Sequence, residues 1–228
     1  MINANPVVKY LIYINAALWL FLSQETVVEH GFVPAHPTVL TIFTSMFLHA
    51  GLVHVFFNMS VLHALDDMEE EMGTKWFVGT YLTTGLVAVL FHYITNFGSE
   101  IPMVGASGAI SGLIGASAVL LPEMKSIGTI NPFVWQWFTK KKFIINPTCF
   151  NLAKWFLIIN VTAGIIGSIT SDEKGAGVAW WAHVGGLLAG YGIAKVFDKL
   201  YPPDEENRPF DEPIEKNLTL RNAWGIKE

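Results

Sequence analysis

Long apolar stretches separated by short charged ones dominate the pattern of this chain. Between Trp76 and Leu121 the only formal charge is Glu100, and between Val27 and Met59 the only one is Glu29. Residues 156–171 and 175–194 carry none. A helix that crosses a bilayer needs ~20 mostly apolar residues, because the hydrocarbon core is ~30 Å thick and each residue rises 1.5 Å. Six segments fit that length: residues 8–24, 47–65, 76–96, 104–121, 152–170 and 178–197. Residues 39–48 offer an alternative start for the second, as a stretch lying at the interface before the helix turns inward. The pattern therefore predicts an all-α fold, a polytopic membrane bundle of six helices.

Composition supports this reading. Charged residues are 14% of the 228, against ~25% in an ordinary soluble domain, and apolar residues are 52%. A net charge of −5 argues against nucleic acid as a partner, since phosphate binding needs clustered Lys and Arg. The single cysteine, Cys149, excludes an intrachain disulfide and a Cys-rich metal site. The first apolar run ends at Leu22-Ser23-Gln24-Glu25, with no small-x-small cleavage pair, so it reads as a retained span rather than a signal peptide.

Lys and Arg set the expected orientation. With the N-terminus cytoplasmic, the inner segments hold thirteen of them and the outer loops hold Lys174 alone. Both termini are therefore expected inside. The chain divides into a membrane domain over residues 1–200 and a polar, proline-bearing cytoplasmic tail over 201–228, expected to be partly disordered. An insertion at about 122–151 joins the fourth and fifth spans. Its Phe133, Trp135, Trp137 and Phe138 precede Lys140-Lys141-Lys142. That grouping fits an interfacial helix on an anionic leaflet, and equally a packed insertion without lipid preference. The acidic run from Asp66 to Glu71 reads as a solvated cytoplasmic loop. The short flanking segments favour a prokaryotic plasma membrane.

Polar side chains inside spans cost a few kcal/mol unless paired or hydrated, so each needs a reason. His54 and Asn58 are four apart and share a helix face, with His49 just upstream. They could hold an anion or a carbonyl oxygen, or bind a neighbouring helix. Ser107, in Gly105-Ala106-Ser107-Gly108, falls in the first turn of the fourth span, where free N–H groups favour developing negative charge. Gly108, Ser111, Gly112 and Gly115 continue a small-residue face, which by itself suits helix packing. His183 lies roughly two turns from the outer end of the sixth span, with Gly186 and Gly190 on nearly the same face. That strip would let the sixth span press on the fourth and bring His183 toward Ser107. Asn160, in the fifth span, stands apart from this outer grouping.

A serine beside a desolvated, neutral histidine can become a nucleophile, the imidazole taking its proton and returning it to a leaving amine. No carboxylate lies in the apolar part of the sixth span, so the pattern points to a Ser107–His183 dyad. The oxyanion would meet the Ser107 N–H, the Asn58 amide and His54. Other chemistries fit less well. There is no HExxH for a zinc protease and no aspartate well inside a span. His54-x3-Asn58 with Glu70-Glu71-x3-Lys75 imitates a glutamate-dependent pattern, but those glutamates fall in the acidic run. A transporter or channel would spread its polar groups through the full thickness, and a non-catalytic helix-binding protein would not need Ser107.

His49-x4-His54-x3-Asn58, Gly105-Ala106-Ser107-Gly108 and Ala182-His183-x2-Gly186 occur in the order and topology of a known family. Over residues 8–197 the chain resembles the rhomboid intramembrane serine proteases. The resemblance implies Ser107 as nucleophile, His183 as base, and an oxyanion hole from His54, Asn58 and the Ser107 N–H. His49, Gly105, Gly108 and Gly186 take supporting places. It implies no cofactor and no metal, transmembrane proteins as substrates, and membrane lipid as the surroundings. Cleavage would fall near the outer surface. Three departures stand out. Leu40-Thr41 occupies a place often held by Trp-Arg. Ser111 stands where an aromatic usually stacks on the histidine. A common glycine is replaced around Asp66, with the run to Glu69 and Gly73 one residue short.

Overall fold

The computed structural model describes residues 5–124, 148–170 and 179–202. The aromatic-basic insertion around Phe133 to Lys142, the outer-loop residues Asp172, Glu173 and Lys174, and the tail lie outside the described residues.

Nearly everything described is helical. The helices are α1 (Pro6–Phe21), α2 (Gln24–Glu29), α3 (Val39–Thr44), α4 (Leu52–Ala64), α5 (Asp67–Met72), α6 (Thr74–Thr95), α7 (Ser107–Leu120), α8 (Cys149–Thr170) and α9 (Trp180–Leu200). Phe32 and Met103 exchange two backbone hydrogen bonds, an isolated bridge that ties the loop after α2 to the one before α7.

Of the six expected spans, two match described helices long and apolar enough to cross a bilayer, Thr74–Thr95 and Cys149–Thr170. Pro6–Phe21, Leu52–Ala64 and Ser107–Leu120 are apolar but shorter. α9 is long, with Lys195, Asp198 and Lys199 toward its end. The second segment starts later than expected at residue 47. Residues 39–44 form the separate helix α3, with Val39 and Leu40 exposed. A capping box fixes where α3 begins: Thr38 Oγ1 accepts from Thr41 N–H, and the Thr41 hydroxyl accepts from Thr38 N–H.

The exterior is apolar where a water-soluble protein would be polar. Phe56 and Phe57 of α4 and Ile158, Ile159, Ile165, Ile166 and Ile169 of α8 all face outward. An exposed surface of this kind needs lipid or a partner to cover it.

α7 is the centre, buried from Gly108 through Ala118. Its glycines set the packing. A Cβ at Gly112 would strike Thr84 of α6, and one at Gly115 would strike the Leu187 carbonyl of α9. From the other side, Cβ atoms at Gly186 and Gly190 would strike the carbonyl oxygens of Gly108 and Gly112. Backbone thus lies on backbone along the α7–α9 seam, closer than side chains allow. Thr84 Oγ1 also donates to the Ala109 carbonyl at 3.2 Å, linking α6 to α7.

The acidic run is not a solvated loop. It forms α5, and Glu69 is only 4% exposed. Its carboxylate accepts from the free first-turn N–H groups of Val7 and Val8 at 3.0 and 3.1 Å, and from Thr74 Oγ1 at 3.1 Å. Asn5 Nδ2 adds a bond to the Asp66 carbonyl. Counting charges alone missed that an unsatisfied helix end can hold a buried carboxylate. Asp67 is different: burial, followed by the Asp66 and Glu70 charges, pushes its carboxyl up to about 6.

Candidate active site

Ser107 opens α7, so its backbone N–H has no partner within the helix. Gly105, just ahead of it, sits at φ 128°, where a side chain would be strained. A Cβ there would also lie 2.7 Å from His54 Nε2 and 3.7 Å from Asn58 Nδ2. The turn into α7 therefore runs against both side chains, and Gly105 N–H is fixed to the Ser45 carbonyl at 2.8 Å.

His183 lies in the first turn of α9, somewhat nearer the helix start than expected. Its Nε2 is 2.8 Å from Ser107 Oγ. The glycine seam accounts for this closeness, since Gly186 one turn along rests on the Gly108 carbonyl. His54 and Asn58 share one face of α4, as their spacing predicts. Ser107, His183, His54, Asn58, Gly105 and Gly108 all line one cavity of about 760 Å³. A water occupies about 30 Å³ of liquid, so this space admits many. Asn58 Nδ2 is buried with no hydrogen-bond partner, a donor held ready. His49 is fully buried outside the cavity lining, its ring edge-on to His54 with centroids 5.0 Å apart. It buttresses His54.

The departures from the usual motifs have local explanations. Ser111 turns back to its own helix, donating to the Ser107 carbonyl at 2.6 Å. The rings beside His183 come instead from Phe156 of α8, 5.8 Å away and tilted, and from Trp180, 6.4 Å away and edge-on. Near Leu40-Thr41, the loop is tied by Thr44 Oγ1 donating to the His30 carbonyl at 2.7 Å and by buried Met46 tucked against Gly85.

One residue of the site was not singled out from sequence. Asn160 Oδ1 lies 2.8 Å from His183 Nδ1. Its signal was present, a lone amide in an uncharged stretch, but nothing in the spacing named its partner.

A sequence profile described as Rhomboid domain matches residues 36–199. The chain belongs to the rhomboid family. Rhomboids are integral membrane helical bundles known as intramembrane serine proteases. Among the relatives this rhomboid resembles is the Bacillus subtilis protein named "Putative rhomboid protease YdcA", 32% identical over 124 residues, or 50% of this chain and 62% of that one. RHOMBOID-like protein 5 of Arabidopsis thaliana is 30% identical over 149 residues, 64% of this chain and 40% of that one. Rhomboid protease GluP of Bacillus subtilis is 26% identical over 207 residues, 83% of this chain and 34% of that one. In each case the match spans less than two thirds of the relative's length.

Proposed function

We propose that this rhomboid is an intramembrane serine endopeptidase acting on transmembrane segments through a Ser107–His183 dyad. The observation that carries the reading is the 2.8 Å contact between Ser107 Oγ and His183 Nε2 at the wall of a cavity large enough for many waters.

The chemistry follows from the atoms. His183 Nε2 takes the Ser107 proton as Oγ attacks the scissile carbonyl carbon. The carbonyl oxygen becomes an oxyanion, met by the Ser107 N–H, Asn58 Nδ2 and His54. His183 then passes its proton to the leaving amine, and an ester to Ser107 remains. A water from the cavity, deprotonated by the same nitrogen, attacks that ester and frees the serine. His49 supports His54. Gly105, Gly108 and Gly186 let the backbones and the substrate come close.

The reading places six helices across a bilayer, with both termini cytoplasmic, in a prokaryotic plasma membrane. α7 has 14 residues, about 21 Å at 1.5 Å each. That is short of the ~30 Å core, so Ser107 at its outer end sits below the surface, where a substrate helix would be cut. Residues 1–200 form the membrane domain, 122–151 its inner insertion and 201–228 the tail.

The test is cleavage of a single-span reporter substrate by purified protein in proteoliposomes. Wild type should release two fragments and Ser107→Ala none. Equal cleavage by both, or by neither, would overturn the reading.

A further inference from the structure

We propose that Asn160 is a positioning residue that holds His183 with its proton on Nδ1, leaving the Nε2 lone pair free for Ser107. The inference rests on the Ser107–His183 reading above and concerns which nitrogen of the base is available.

The argument is one of donors and acceptors. Asn160 is 2% exposed and His183 9%. Asn160 Nδ2 donates to the Phe156 carbonyl of its own helix at 2.8 Å. A flipped amide would set Oδ1 against that carbonyl, two acceptors facing each other. The backbone of α8 therefore fixes which end of the amide meets His183. An amide oxygen only accepts, so the hydrogen in the 2.8 Å contact belongs to Nδ1. A neutral imidazole carries one such hydrogen, so Nε2 is left as an acceptor at 2.8 Å from the Ser107 hydroxyl. The chain of bonds runs from the Ser107 hydroxyl to Nε2, from Nδ1–H to Oδ1, and from Nδ2–H to a backbone oxygen.

No carboxylate lines the cavity among the described residues. The other titratable groups there are His54 on α4 and His92 on α6. With Ser111 bonded to its own helix, α8 supplies two of the groups around the ring, Phe156 tilted beside it and Asn160 at Nδ1. After proton transfer the imidazolium keeps its Nδ1–H on a neutral oxygen, which orients the ring and takes no proton.

The test uses full-length protein in detergent with 15N-labelled histidine, the His183 signal being identified by its loss in His183→Ala. Wild type should show the proton on Nδ1 and a bare Nε2. Asn160→Leu, which removes the acceptor at similar size, should mix the tautomers. It should lower kcat roughly 10–100-fold, part of the ~10²–10⁴ that a positioned base supplies, with KM within about twofold. Asn160→Asp keeps an acceptor oxygen and should restore the wild-type tautomer and most of kcat. A proton on Nε2 in wild type overturns the assignment. So does an Asn160→Leu protein with the wild-type tautomer and kcat within about twofold, or an Asn160→Asp protein with mixed tautomers. A wild type that does not cleave but shows Nδ1–H would remove the protease reading and uphold this one.

Discussion

Two regions bury polar groups, and they do so differently. At the α1–α5 corner the Glu69 carboxylate accepts from two backbone N–H groups and a hydroxyl. At the start of α7, Asn58 lines a space of about 760 Å³ with its Nδ2 buried and unpartnered, and the Ser107 N–H is free of its helix. The first arrangement is complete, so it can only hold elements together. The second is incomplete beside a cavity, and unmet donors there are what a developing oxyanion needs. Burial of a polar group alone separates nothing; an unmet donor on a residue that lines a cavity does.

The contrast can be broken by substitution. The largest effects should come from Ser107→Ala and His183→Ala, each losing at least ~10³-fold in kcat with an unchanged melting temperature. Next, Asn58→Ala removes one donor and should cost ~10²–10³ in kcat with little change in KM, read on the same reporter substrate. Full activity would take Asn58 out of the oxyanion hole. Gly186→Val should wedge α9 away from the Gly108 carbonyl and move His183 from Ser107. A displacement near 1 Å costs about 10²-fold, and here the melting temperature should fall as well.

The corner should respond in the opposite way. Glu69→Ala leaves two helix-end N–H groups unmet, and bonds to a charged group contribute ~1.5–3 kcal/mol. At ~2–4 °C per kcal/mol, the melting temperature should drop roughly 3–12 °C while kcat at low temperature stays within a few-fold. The smallest effect concerns Asp67. Its folded carboxyl titrates near 6, above the ordinary 3.8, because burial disfavours the charge. The folded state thus binds the proton more tightly than the unfolded one, and stability falls as pH rises from about 4 to 6. Asp67→Asn should raise the melting temperature by a few degrees at pH 8 and leave it unchanged at pH 4. Calorimetry at the two pH values reads the difference, and an equal shift at both would refute the cause.

Ser107, His183, His54 and Asn58 were legible because polar groups in apolar stretches need a reason, and three segments set theirs near the same helix ends. The glycine strips were legible too, since Gly186 and Gly190 repeat on one face. Asn160 was visible as an oddity, but its partner depends on how α8 leans on α9, which no local spacing encodes. Glu69 was misread because a run of like charges usually seeks water. The free end of α1, sixty residues away in sequence, changes that balance. The break between α3 and α4 stayed open because hydrophobicity does not distinguish a helix on a membrane from one entering it. The structure separates the two helices, and the Thr38–Thr41 capping box marks where α3 begins.

The most direct measurement is mass-spectrometric mapping of a fluorophosphonate adduct on the protein in detergent. A single adduct on Ser107, lost in Ser107→Ala and strongly slowed in His183→Ala, is the predicted result. Labelling that persists in Ser107→Ala, or that sits on another serine, would contradict it.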